Sequence, residues 1–212
     1  MLPIVSVWKT YGAFREMGDN MRTAEIKRKT KETDIEVFVK LDGEGKVNID
    51  TGIGFFDHML TAFGVHGGMD LDVRCTGDLH VDGHHTVEDV GICIGKAIAE
   101  ALGDKGGIAR YGSAYVPMDE ALSFCALDIS GRPFLAFNAQ FTDFRCGEFD
   151  TCLTEEFFRA FAMNSGITLH IREEYGKNDH HIIEAMFKAV AHALKDAMTV
   201  TGGGVLSTKG VL

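Results

Sequence analysis

The fold of this chain is decided by a short string that it carries twice, Asp82-Gly83-His84-His85-Thr86-Val87-Glu88 and Asn178-Asp179-His180-His181-Ile182-Ile183-Glu184. Behind the first copy come Asp89-Val90-Gly91-Ile92-Cys93-Ile94-Gly95-Lys96-Ala97-Ile98, and behind the second Ala185-Met186-Phe187-Lys188-Ala189-Val190-Ala191. Both continuations show a wide apolar face and a narrow polar line at helical spacing, so each string predicts the first turn of a helix. Four residues apart on such a helix, His84 and Glu88 share a face, as do His180 and Glu184, and each pair can offer an imidazole and a carboxylate to one cation. His85 and His181 are rotated by about 100° and look elsewhere. Without cysteine among the donors, such pairs suit Mn, Fe, Ni or Zn better than a structural zinc held by thiolates.

Outward from the strings, the elements recur in one order in each half: strand, strand, helix, strand, helix. Residues 35–41 alternate as a half-buried strand that closes at Asp42-Gly43, and residues 46–50 are expected to be its hairpin partner. Residues 55–66 are helical in pattern, residues 69–75 alternate, and the helix opened by His84 stops at Gly103. The second half repeats this with a strand over 121–129, the turn Ser130-Gly131-Arg132-Pro133, a helix over 153–164, a strand over 167–171 and the helix opened by His180.

Asp57-His58-Met59-Leu60-Thr61-Ala62-Phe63 falls on Glu155-Glu156-Phe157-Phe158-Arg159-Ala160-Phe161, and Leu71-Asp72-Val73 on Leu169-His170-Ile171, a repeat of roughly 95 residues. The expected fold class is α+β, a tandem repeat of two ββαβα half-domains. Four nearly continuous apolar helix faces have to cover one another, which puts a central four-helix layer between two β-sheets. The divisions are an extension over 1–20, a first half-domain over 21–109, a second over 110–200 and a C-terminal tail over 201–212.

The repeat also sorts the candidate ligands. His58 pairs with Glu156 rather than with His170, so the set becomes His58, His84, His85 and Glu88 from one half and Glu156, His180, His181 and Glu184 from the other. Eight donors are enough for two ions with four protein ligands each. His66, His80, His170 and His192 are left as ordinary histidines.

With 212 residues, 45% of them hydrophobic, the chain can bury a substantial core. A formal charge of −10 and a pI near 5.3 argue against nucleic acid as a partner, and Lys27-Arg28-Lys29-Thr30-Lys31 reads as a solvated edge. The five cysteines form no Cys-x-x-Cys pair, which fits free thiols in a reducing compartment. No apolar run reaches membrane-spanning length and the N-terminus has no signal-type pattern, so the expected location is the cytoplasm.

The chain closely resembles the imidazoleglycerol-phosphate dehydratases of histidine biosynthesis over residues 22–212. The resemblance is carried by Gly54-Phe55-Phe56-Asp57-His58-Met59-Leu60, the run from Gly77 to Asp89, Pro117-Met118-Asp119-Glu120, Ser130-Gly131-Arg132-Pro133, Asp179-His180-His181-Ile182-Ile183-Glu184-Ala185 and Ser207-Thr208-Lys209-Gly210. It implies dehydration of D-erythro-imidazole-glycerol phosphate to imidazole-acetol phosphate, through an imidazolate held between two Mn(II) ions per subunit. It also implies a homo-24-mer with active sites at subunit contacts.

Carried over residue by residue, one ion takes His58, His85, His180 and Glu184, and the other His84, Glu88, Glu156 and His181. At position 156 many family members have histidine where this chain has glutamate. The resemblance assigns Glu32 to proton transfer, with His58, His85, His180 and Glu184 completing the catalytic set. Arg110, Arg132, Ser207, Thr208 and Lys209 would hold the phosphate, while Glu32, His84, His85, Glu88 and His180 line the substrate. The competing function is a dinuclear phosphoester hydrolase, whose ions would activate water. A metal-storing shell would have no use for the three basic residues.

Overall fold

In the computed structural model, residues 21–208 and 210 are described. The extension over 1–20, Lys209 and residues 211–212 lie outside them. The chain begins with β1 (Thr23–Lys29) and β2 (Thr33–Lys40), an antiparallel hairpin. Strand β2 shows why it forms: Thr33, Ile35, Val37 and Val39 are buried while Asp34 and the alternate positions face outward, the two-residue period of a sheet with one covered face. The Lys27-Arg28-Lys29 run lies on β1, at the edge of this sheet.

The expected pairing of residues 35–41 with residues 46–50 does not occur. Strand β3 (Val47–Asp50) instead runs parallel to β4 (Asp70–Gly77), which separates it from β2 in a sheet ordered β1-β2-β4-β3. The cause is local. Asp70 accepts the backbone N–H groups of Glu44 (2.8 Å) and Lys46 (3.0 Å), and the Lys46 carbonyl accepts from Leu71 (3.0 Å), drawing the segment after β2 across to β4. A turn signal at Asp42-Gly43 cannot reveal an acceptor that lies so far along the chain.

The second half repeats the plan with β5 (Tyr111–Met118), β6 (Ala121–Asp128), β7 (Phe134–Asn138) and β10 (Thr168–Tyr175) in the order β5-β6-β10-β7. Here too the third strand joins in parallel, β7 beside β10. Each half therefore carries one strand more than the ββαβα pattern. A small added hairpin, β8 (Arg145–Cys146) with β9 (Phe149–Asp150), precedes the third helix.

The four helices are α1 (Gly54–Gly67), α2 (His84–Leu102), α3 (Leu153–Ser165) and α4 (Asp179–Met198). Helix α2 covers the first sheet and α4 the second, while α2 packs on α3 and α1 on α4. The helices thus form the central layer between the sheets, as the class predicts. Equivalent helices α1 and α3 both end on a glycine in the left-handed region, Gly68 at φ 65° and Gly166 at φ 71°.

The two helix pairs meet differently. A Cβ on Gly91 would stand 2.9 Å from the Phe157 carbonyl oxygen and one on Gly95 2.7 Å from that of Phe161, so α2 and α3 touch backbone to backbone. The equivalent positions of α4 carry Phe187 and Ala191. Phe187 stacks on Phe157 at 5.1 Å and sits 4.7 Å from Phe158, ring centre to ring centre. With Phe56, Phe149 and Phe161 these rings fill the centre, each burial stabilising by about 1.5–3 kcal/mol.

Candidate functional site

Both His-His strings are pinned by the residue two places before the first histidine. The Asp82 carboxylate accepts the His84 N–H at 2.8 Å, and the Asn178 side-chain Oδ1 accepts that of His180 at 3.0 Å. Each cap satisfies a helix-start N–H and fixes the first turn, so the side chains that follow project from a rigid frame. Helix α1 is fastened through Asp57, which accepts the Thr51 N–H at 2.9 Å beside His58. Asp179, almost fully buried, accepts the N–H groups of Thr142 and Asp143 and ties the β7–β8 loop to the start of α4.

On these frames His58, His180 and Glu184 converge, with one donor atom of each lying within 4.8 Å of the others. His180 Nε2 is 3.3 Å and His58 Nε2 3.5 Å from the same Glu184 oxygen, and Phe55 stands edge-on to His180 at 5.0 Å. The Glu184 side chain is 7% exposed and its other oxygen accepts from Lys188 at 2.6 Å. Burial pushes this carboxyl up; the Lys188 ammonium and the two imidazoles outweigh it and hold it below the usual range. Glu184 is therefore an anion in a sheltered place.

Two imidazoles and one carboxylate are a donor set that fits a divalent first-row cation. No cysteine belongs to this group, and burial pushes the Cys75 thiol to about 12 and the Cys93 thiol to about 11.

The remaining predicted ligands do not assemble within one chain. His84 Nε2 lies 3.9 Å from Glu88, both half exposed, and Glu156 is turned toward the Arg159 guanidinium at 3.5 Å. Among the described residues, His58, His180 and Glu184 form the one group of three or more donors within that distance. His85 and His181 stand apart from this group, their side chains 34% and 24% exposed. The Asp78 carboxylate is 3.0 Å from His85 Nδ1, and Glu120 is 2.7 Å from His181 Nδ1. On their other nitrogens, His85 meets Glu32 at 3.9 Å and His181 meets Asp119 at 3.7 Å. The carboxylates hold both imidazoles above their usual protonation range, through the hydrogen bonds from Asp78 and Glu120 respectively.

Glu32 stands exposed at the tip of the β1–β2 hairpin, on a turn closed by the Thr30 hydroxyl, which accepts the N–H groups of Glu32 (3.1 Å) and Thr33 (3.0 Å). Asp89, buried and adjacent to Glu88 on α2, accepts from Thr33 at 2.5 Å and from Arg28. This anchor ties the hairpin tip to the helix that carries His85.

The basic residues divide. Arg110 is 8% exposed; it forks onto Asp128 at 2.6 and 3.0 Å and donates to the Leu206 carbonyl. Arg132, with its side chain 67% exposed, reaches the same carboxylate at 3.6 Å. Ser207 and Thr208 follow in the tail, and Lys209 lies outside the described residues. Of the four leftover histidines, His66 and His192 face each other at 3.2 Å, while His80 and His170 are exposed.

Asp78, Asp89, Glu120 and Lys188 were not singled out by the sequence. Lys188 had a signal, since it stands four residues after Glu184 on the same helix face. The other three act across elements and carry no local pattern.

Residues 51–194 match the family model of imidazoleglycerol-phosphate dehydratase. The chain is 60% identical over 194 residues to the imidazoleglycerol-phosphate dehydratase of Clostridium kluyveri, covering 91% of this chain and all of the relative. The corresponding protein of Alkaliphilus metalliredigens is 60% identical over 187 residues, 87% of this chain and 96% of its own. Among solved structures, imidazoleglycerol-phosphate dehydratase from Staphylococcus aureus superposes with a TM-score of 0.77 at 43% identity, over 84% of this chain and 99% of that one. The Pyrococcus furiosus protein in complex with (S)-C348 gives a TM-score of 0.77 at 40% identity, over 88% and 100%.

Proposed function

The chain belongs to the imidazoleglycerol-phosphate dehydratase family, hydro-lyases of histidine biosynthesis, and from that premise we propose how its residues carry the dehydration. The substrate is D-erythro-imidazole-glycerol phosphate, the products are imidazole-acetol phosphate and water, and the cofactor is Mn(II), two ions per subunit. The observation that carries the proposal is the buried, anionic Glu184 with His58 and His180 around it, a donor set waiting for a cation. When bound, the ions would supply Lewis acidity that favours the ionised form of the substrate's imidazole ring.

His58, His180 and Glu184 hold one ion and His84, Glu88 and Glu156 the other. His85 and His181 complete the sets from neighbouring copies, which suits their standing apart from His58, His180 and Glu184 within a single chain. Subunit-bridging sites of this kind are the basis on which we place the protein in a homo-24-mer.

Glu32, exposed and 3.9 Å from His85 Nε2, removes the substrate proton and delivers one to the departing hydroxyl. Arg132, Ser207, Thr208 and Lys209 receive the phosphate, and Arg110 contributes by ordering the tail through Asp128 and Leu206. No helix among the described residues is long and apolar enough to cross a membrane, and we place the enzyme in the cytoplasm.

The test is direct. Mn-loaded protein incubated with imidazole-glycerol phosphate should yield the ketone, with close to two ions per chain by elemental analysis. Release of inorganic phosphate from this substrate or from a generic phosphate ester, with no ketone formed, would replace the dehydratase by a dinuclear hydrolase.

A further inference from the structure

His85 and His181 are held alike by residues that are not equivalent. A carboxylate only accepts, so the contacts at 3.0 Å (Asp78 to His85) and 2.7 Å (Glu120 to His181) put a hydrogen on Nδ1, and in the neutral ring this leaves Nε2 with its lone pair. Asp78 is the residue that follows β4. In the second half a bulge near the end of β10 makes Gly176 the counterpart of Gly77, so the position equivalent to Asp78 is Lys177, which has no carboxylate to offer. Glu120 does the task there from the tip of the β5–β6 hairpin, while the tip of the equivalent β1–β2 hairpin carries Glu32.

Both holders are themselves fastened. Asp78 donates its N–H to the Glu32 carbonyl at 3.0 Å, and Glu120 accepts the N–H groups of Lys177 (3.2 Å) and Asn178 (2.9 Å) at the start of α4. The same fixation reached from different places in the fold marks a demand of the site, since inheritance of the repeat alone would have used the same position twice.

We infer that Asp78 and Glu120 are positioning residues, one in each half, which fix the His85 and His181 imidazoles so that Nε2 is the atom presented to a cation. The division of labour also frees Glu32: because Asp78 occupies Nδ1 of His85, the first hairpin's glutamate is left facing the open side, while its counterpart Glu120 is consumed in holding His181. The inference rests on the metal-dependent reading above, and its test separates the two.

In the full chain with labelled histidines, solid-state nitrogen spectra of the metal-free protein should show His85 and His181 protonated at Nδ1. Asp78→Ala and Glu120→Ala should each lose that preference at one ring, with unchanged circular dichroism. Mn(II) titration should show a roughly ten- to hundredfold loss of affinity in each variant. Asp78→Asn and Glu120→Gln, which keep an oxygen acceptor, should recover part of it, and Asp34→Ala, which removes a surface carboxylate of the first hairpin, should bind as the parent does.

Parent-like Mn(II) affinity in both alanine variants, or an unchanged mixture of ring tautomers, overturns the positioning role. A shift in tautomers in chains that take up no Mn(II), parent included, supports the fixation and overturns the metal reading instead.

Discussion

The two copies of the His-His string differ more in their surroundings than in their letters. The second is closed: Glu184 is buried, paired with Lys188 four residues on, and joined by His58 from α1. The first is open, with His84 and Glu88 46% exposed and no third donor. Two substitutions between the repeats account for this. The position equivalent to Lys188 is Ile92, so Glu88 has no lysine four residues on along its own helix, and the position equivalent to His58 is Glu156. Where an imidazole can approach a carboxylate, a second carboxylate is repelled, and Glu156 is drawn to Arg159 three residues along its own helix. Arg159 in turn stands where α1 has Thr61. The same string thus gives one cluster whose donors already converge within the chain and one pair that stands apart.

The largest effect that can break this contrast is expected at Glu184. Glu184→Ala should abolish the ion at the closed site. In chelated protein it should lower stability by about 3–5 kcal/mol, because Lys188 is left sheltered without its partner. Denaturant unfolding with metal analysis checks both. The folded carboxyl lies below its ordinary value of 4.5, so the pair contributes above that pH and the contribution is lost as pH falls through the folded value. The gap between parent and variant should therefore close in acid. Adding Lys188→Met should restore stability without restoring the ion; a double variant as unstable as the single one would show that the ion pair is not the cause.

At the open site the expected effect is confined to binding. Glu156→Ala should weaken one ion at least as much as loss of an outer partner does, by about a hundredfold, with melting temperature unchanged. Glu156→His should bind both ions and, with the like charge removed, leave its side chain close to Glu88 in the metal-free state. Equal affinity of Glu156→Ala and parent for two ions would remove Glu156 from the ligand set.

How much of this was legible follows from the range over which each signal acts. The helix starts, the repeat and the shared face of His180 and Glu184 are set by spacing along one element, and they were readable. The place of β3 depends on Asp70 accepting from Glu44 and Lys46, and the hold on His181 depends on a glutamate some sixty positions earlier, 2.7 Å away in space. Neither leaves a periodic trace. Glu120 stood in a quoted motif without a role because its partner is visible only in three dimensions.

A third comparison concerns the arginines. Arg22 and Arg110 precede the first strands of the two halves and do the same thing. Arg22 forks onto Asp42 and donates to the Met198 carbonyl, whereas Arg110 forks onto Asp128 and donates to the Leu206 carbonyl. The pattern marks Arg110 as a fastener and leaves Arg132 as the exposed cation. Arg132→Ala should weaken inorganic phosphate and substrate by about 1.5–3 kcal/mol, raising KM more than it lowers kcat, with stability unchanged. Arg110→Ala should lower the melting temperature. Undiminished phosphate binding by Arg132→Ala in calorimetry would place the anion site elsewhere.

The smallest expected effect, none on metal content, is at His170, and it separates superposition of the halves from a count of histidines. By residue type His170 is a tempting ligand, since it stands in the same half as Glu156 and the chain has only nine histidines. In the repeat it falls opposite Asp72, on the strand rather than on a helix of the central layer. The structure places it exposed on β10, its ring 6.3 Å from that of Phe134. A side chain on that face points away from the helix layer, because successive residues of a strand alternate and its neighbours Leu169 and Ile171 are the buried ones. His170→Ala should therefore bind two ions per chain with the parent's affinity, by elemental analysis after Mn(II) loading. Loss of an ion from His170→Ala with two ions retained in Glu156→Ala would show that the halves have been superposed in the wrong register, and the contrast between a closed and an open site would fall with it.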